Sequence, residues 1–162
     1  MDKVFLRFPG AILTSVLVAM ILTMLPLSSG LLVWRPDWIA LTFIHWAIIM
    51  PKRISLALAW FTGLLIDVLS GAILGQYALG FTLVLYMALR LSERINPRII
   101  WQQVFMIFII LGVYLLINLW ILGVTGNTPY SWNYWLPLFS SIFVWPIVHQ
   151  LLSVFKVTRK HL

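Results

Sequence analysis

One carboxylate, Asp67, stands inside the strongly apolar run from Ile54 to Leu89, framed by Gly63, Gly71 and Gly75 at four- and eight-residue spacing. On a helix buried in lipid a carboxylate costs roughly 2.5–3.5 kcal/mol, so such a residue faces protein or water and marks a site. Aspartyl proteolysis inside a membrane needs two carboxylates sharing a proton, and the interiors of the apolar runs hold only this one. Serine-type cleavage would have to draw on Ser70 and His45, which differ in depth and lack any nucleophile-elbow sequence. No HExxH, phosphate-binding loop or dinucleotide fingerprint occurs. The sequence therefore holds no catalytic constellation, implies no cofactor or metal, and reads as a protein that binds without turning over a substrate.

Two histidines stand in apolar runs. Counting from Asp37, His45 lies about 12 Å down its helix, near mid-membrane. A proton relay or a metal would require a second ionisable group at that depth, and Asp67 stands higher, so His45 reads as a hydrogen-bonded packing residue. His149, beside Gln150, is placed toward the cytoplasmic side, too far along to be obliged to share a site with His45.

The elements that must position these groups follow from composition. The 162 residues are 62% hydrophobic and only 9% charged, with no cysteine, which points to membrane helices and excludes disulfides and thiolate chemistry. Apolar runs predict six spans, about 10–27, 37–50, 54–70, 76–92, 99–122 and 134–155, in one all-α domain without repeats or linkers. The net charge of +7 is not a nucleic-acid signature here, because the basic residues fall between the runs. Lys3 and Arg7, Lys52 and Arg53, Arg90, Arg94 and Arg98, and Lys156, Arg159 and Lys160 all fall on one side, with Arg35 alone opposite. That pattern places both termini in the cytoplasm.

Counting from Arg53, Asp67 lies about 21 Å up the third span, in the outer half of the bilayer and on the side of Arg35. Three readings stay open: an ion pair with Arg35, a cap on the amides of the Ser70-Gly71 turn, or a contact with a partner or ligand. The glycines allow close backbone approach, and the turn between the third and fourth spans would leave a depression on the outer face. Its rim would be Arg35, Pro36, Asp37, Asp67, Ser70 and Gly75. Trp34, Trp38, Tyr77, Trp132, Tyr134 and Trp135 form an aromatic belt at the outer ends. The second span is short, so it begins upstream or is a tilted or broken element covered by its neighbours. The first run resembles a secretory signal up to Leu27-Ser28-Ser29-Gly30 but is expected to be retained. In the fifth, Tyr114 and Asn118 lie one turn apart, and Asn118 is expected to hydrogen-bond to a neighbouring helix.

Several segments together carry a resemblance: Val33-Trp34-Arg35-Pro36-Asp37-Trp38, Met50-Pro51-Lys52-Arg53, Gly63 to Gly71 with Leu74-Gly75, Trp101-Gln102-Gln103 and Val144-Trp145-Pro146. Over about residues 25–155 the chain resembles the bacterial rod shape-determining family MreD, and departs from it in the N-terminal run and the Gly126 to Trp132 loop. The resemblance implies a multi-pass protein of the bacterial inner membrane, a subunit of the Rod complex that elongates the cell wall. Its implied partners are MreC and, through the complex, RodA and the elongation transpeptidase, besides membrane lipids. It also implies a fold similar to the six-helix substrate-binding subunits of energy-coupling-factor transporters, which keeps a small-molecule-binding transporter subunit as the alternative. The partner-binding pocket carried over consists of Arg35, Pro36 and Asp37 with Asp67, Ser70, Gly71, Leu74 and Gly75.

Overall fold

The computed structural model describes residues 3–6, 10–26, 28, 30, 33–96, 99–126, 132–153 and 156–159. Arg7, Leu27, Ser29, Arg98 and Lys160, and most of the 126–132 loop, lie outside the described residues. Among the described residues six α-helices make up the bundle: α1 Ala11–Met24, α2 Trp38–Ile49, α3 Leu56–Ser70, α4 Gln76–Ser92, α5 Ile100–Val124 and α6 Leu136–Ser153. A 3₁₀ turn, Trp132–Trp135, leads into α6. Each helix falls within three residues of the apolar stretch that predicts it.

The helix starts are chemically defined. Asp37 caps α2, its Oδ1 accepting from Ala40 N–H at 3.0 Å, and Ser55 caps α3 through Leu58 N–H at 3.3 Å. Both use the short polar side chain that satisfies an orphan amide of the first turn.

Twelve residues make α2 about 18 Å long, well short of a bilayer core of roughly 30 Å. It survives because it is covered on every side: Ile39 through Ile48 are all buried. Helices α1, α4 and α6 pack around it, with a lighter contact from α5. Of the sequence alternatives for this short run, the structure thus shows the covered element. Helices α3 and α4 form an antiparallel hairpin with the most extensive contact in the bundle. Gly63 allows it, since a Cβ there would overlap the backbone of Ala78. Among the described helical segments, α5 and the stretch Trp132–Ser153 are individually long and apolar enough to cross a membrane.

One small feature stands beside the all-helical bundle. Lys3–Leu6 and Lys156–Arg159 pair as a two-stranded antiparallel sheet, Lys3 opposite Arg159 and Leu6 opposite Lys156. Short extended segments beyond a helix carry no alternation long enough to announce a strand. They pair because the start of α1 and the end of α6 lie at the same end of the bundle. That end is called the terminal end below, and the opposite one the Asp37 end.

Candidate functional site at the Asp37 end

Asp67 occupies the last turn of α3 and is 1% exposed. Its backbone carbonyl accepts from the N–H groups of Gly71 and Ala72, ending α3, with Gly71 left-handed at φ 64°. Its side chain begins the next helix: Oδ2 accepts from Gly75 N–H at 2.8 Å and Ala78 N–H at 3.4 Å, and Oδ1 from Tyr77 N–H at 2.8 Å. The N-cap position of α4 is Gly75, at φ 98°, which has no side chain to offer. Asp67 supplies the cap from the preceding helix, and the positive end of the α4 dipole favours it there. One residue thus closes α3 and opens α4.

Of the alternatives for Asp67, the structure shows a cap. Among the described residues no ion pair joins it to Arg35, and the amides it caps lie on the far side of the turn, at Gly75 to Ala78. Arg35 and Pro36 are half-buried beside Asp37, whose backbone N–H donates to Ser141 Oγ at 3.0 Å and ties the start of α2 to α6. Asp37 also lines a small cavity with Tyr114 and Pro137. Nearby, Gln76 Nε2 donates to Asn118 Oδ1 at 3.2 Å, the expected cross-helix bond of Asn118. Tyr77, Phe81 and Tyr114 follow one another as ring neighbours at about 6 Å, and Tyr134 hydroxyl donates to the Leu115 carbonyl at 2.8 Å.

The same turn turns apolar groups outward. Val68 and Leu74 are 70% and 71% exposed, with Leu69 and Ile73 also exposed. Leu69 further lines an apolar cavity of about 460 Å³ against Leu17, Ile21 and Met24 of α1. The sequence-derived set is therefore split by the structure: Asp67 is interior and serves the backbone, while Leu74 is at the surface.

A second polar cluster escaped the sequence reading. His45 is fully buried, and its ring centroid lies 5.0 Å from that of His149, with Trp46 and Trp145 on either side at 5.3 and 6.3 Å. Trp145 Nε1 donates to Gln103 Oε1 at 2.9 Å and Trp46 Nε1 to Ser15 Oγ at 2.8 Å. The sequence placed His149 too far along to be obliged to share a site with His45; in the structure the two rings are adjacent. The signal was present, since Ser15, His45, Gln103 and His149 each stand about one turn from the end of their own helix. The starts of α1 and α5 and the ends of α2 and α6 all lie at the terminal end, so the four residues share a level. This cluster locks α1, α2, α5 and α6 together. Among the described residues no group of three or more His, Cys, Asp or Glu could hold a metal.

Comparison with known proteins identifies the family. The family described as rod shape-determining protein MreD matches residues 6–155. The chain is also 24% identical over 149 residues to the rod shape-determining protein MreD of Haemophilus influenzae, covering 92% of this chain and 91% of that protein. No solved structure matches. A covered short helix in an apolar bundle and a family match over nearly the whole length lead to one conclusion: the chain belongs to the MreD family of rod shape-determining membrane proteins.

Proposed function

We propose that the chain is a non-enzymatic, multi-pass inner-membrane subunit of the cell-elongation machinery. Its six helices span the membrane with both termini cytoplasmic, and its Asp37 end faces outward. There it binds MreC, and through that complex it acts with RodA and the elongation transpeptidase in peptidoglycan synthesis and rod shape. The orientation is supported by the ten basic residues assigned to the terminal end against Arg35 at the other. Pairing of the two chain ends supports it further, because an even number of crossings returns the chain to its starting side.

The observation that carries the binding role is the α3–α4 turn. Asp67 and the left-handed glycines Gly71 and Gly75 hold it in one conformation, and it exposes Val68, Leu69, Ile73 and Leu74. A rigid support beneath exposed apolar groups is what a binding surface requires, since little order is lost on association. In this reading Leu74 contacts the partner. Arg35, Pro36 and Asp37 border it, and Asp67, Ser70, Gly71 and Gly75 give the surface its shape.

Copurification from the native host tests it. Leu74→Lys is expected to lower MreC recovery at least about tenfold, the effect of burying an unpaired charge in an apolar contact, and to round the cells while the protein stays at its normal level in the membrane. Normal rods with full MreC recovery would rule out this surface.

A further inference from the structure

Helix α1 meets the bundle chiefly through α2 and does not close against α6. Between α1 and α6, over α2, runs a cavity of about 500 Å³ lined by Thr14, Val18 and Leu22 on one side, Thr42 beneath, and Val148 and Leu152 on the other. The hydroxyls in its wall are already used: Thr14 donates to the Ala11 carbonyl, Thr42 to the Trp38 carbonyl, and Ser15 to the Ile12 carbonyl while accepting from Trp46. Apart from the indole N–H of Trp38, at the Asp37 end of the wall, the lining asks its occupant for no hydrogen bonds, so an apolar chain fits it.

Length selects the kind of chain. From Thr14 to Leu22 is about 12 Å along α1, close to one leaflet of a hydrocarbon core roughly 30 Å thick. A partner's spanning helix would need about twice that. Charge selects the headgroup. The segments flanking the two helices of this groove carry Lys3, Arg7, Lys156, Arg159 and Lys160 against a single acid, Asp2. Strand pairing brings the basic ends together, Lys3 opposite Arg159 and Lys156 opposite Leu6, at the terminal end from which α1 rises and to which α6 returns.

We propose that the α1–α6 groove holds an acyl chain of an anionic phospholipid whose phosphate headgroup lies against the basic terminal strands. That this lipid belongs to the inner leaflet rests on the cytoplasmic placement of the termini proposed above. Retention in detergent does not depend on that placement, so the two ideas fail separately. Basic residues near a membrane surface favour anionic lipid by an amount equal to about fivefold each.

The test uses the full chain purified in detergent and exposed to equal amounts of phosphatidylglycerol and phosphatidylethanolamine with identical acyl chains, with retained lipid counted by mass spectrometry. Phosphatidylglycerol is expected to be retained over phosphatidylethanolamine by at least about fivefold. Val18→Trp, at a half-exposed wall position where a large ring fills the groove without entering the core, should abolish retention of both lipids. The double variant Lys156→Glu/Arg159→Glu should erase the headgroup preference while some lipid stays bound. Phe143→Ala, on an outward-facing position of α6 apart from the groove, should change nothing. Equal retention of the two lipids by the unaltered chain, or retention by Val18→Trp at the unaltered level, would overturn the proposal. So would displacement of the lipid by coexpressed MreC together with loss of MreC from Val18→Trp, which would assign the groove to a helix.

Discussion

Replacing Asp67 by Ala leaves the amides of Gly75, Tyr77 and Ala78 without their acceptor at a position closed to solvent. Unsatisfied buried donors cost about 1–3 kcal/mol each, and loss of a helix cap typically about 1 kcal/mol. The expected loss is about 3 kcal/mol, a fall of roughly 6–12 °C in unfolding midpoint for a chain of this size, read by a thermal scan in detergent. Asp67→Asn keeps one carbonyl oxygen and should recover part of that loss, whereas an ion-pair role with Arg35 would make the two variants alike. Arg35→Ala should leave the midpoint within about 1 kcal/mol of the parent. At the other end, Trp145→Phe keeps the ring beside His45 and His149 but removes the donor to Gln103, with an expected loss of about 1–2 kcal/mol in the same scan. The sequence made the cost of Asp67 plain and its partners obscure. The sequence offered Arg35, the charged side chain on the right side, and the amides of the Ser70-Gly71 turn, but not the amides at Gly75, Tyr77 and Ala78 that the side chain caps. Backbone amides become available only where the chain reverses, and their availability depends on Gly75 adopting a conformation that leaves its own cap position bare.

Helices are where the sequence was most readable, because apolar runs bounded by charge and glycine define them without reference to their neighbours. The short α2 shows where that stops: its length announces an anomaly, but only the surrounding helices decide that it is covered and not extended. The meeting of His45 and His149 has a related origin: His45 was counted down from Asp37 to mid-membrane and His149 placed toward the cytoplasmic side, and the shortness of α2 brings the two levels together. The α3–α4 hairpin yields a prediction at this scale. Gly63→Ala must push the helices apart, since its new methyl would overlap the Ala78 backbone, and should cost more than about 2 kcal/mol. Gly71→Ala and Gly75→Ala meet no atoms, yet each forces a side chain into left-handed backbone at about 1–2 kcal/mol. Thermal midpoints should therefore rank Gly63→Ala lowest, and the opposite order would mean that the hairpin repacks freely.

For the molecule as a whole, the proposed six crossings and the paired ends together put the two termini on one side, which the basic residues assign to the cytoplasm in that reading. Single cysteines introduced into this cysteine-free chain make that checkable. A thiol at Leu74 should react with an impermeant reagent added outside intact cells, and one at Lys156 only after the cells are opened. Outside labelling at both positions would invert the topology. The capping of Gly75, Tyr77 and Ala78 by Asp67 also bears on how the protein is made. Emerging alone from the insertion machinery, α3 carries a carboxyl group that hydrocarbon penalises by roughly 2.5–3.5 kcal/mol. The amides that satisfy it lie only eight to eleven residues later, at the start of the following span. In the proposed six-span topology α3 is thus a poor entrant until its successor is synthesised, and the two are expected to partition into lipid together, as a hairpin, with the buried acid acting as the latch that makes insertion wait.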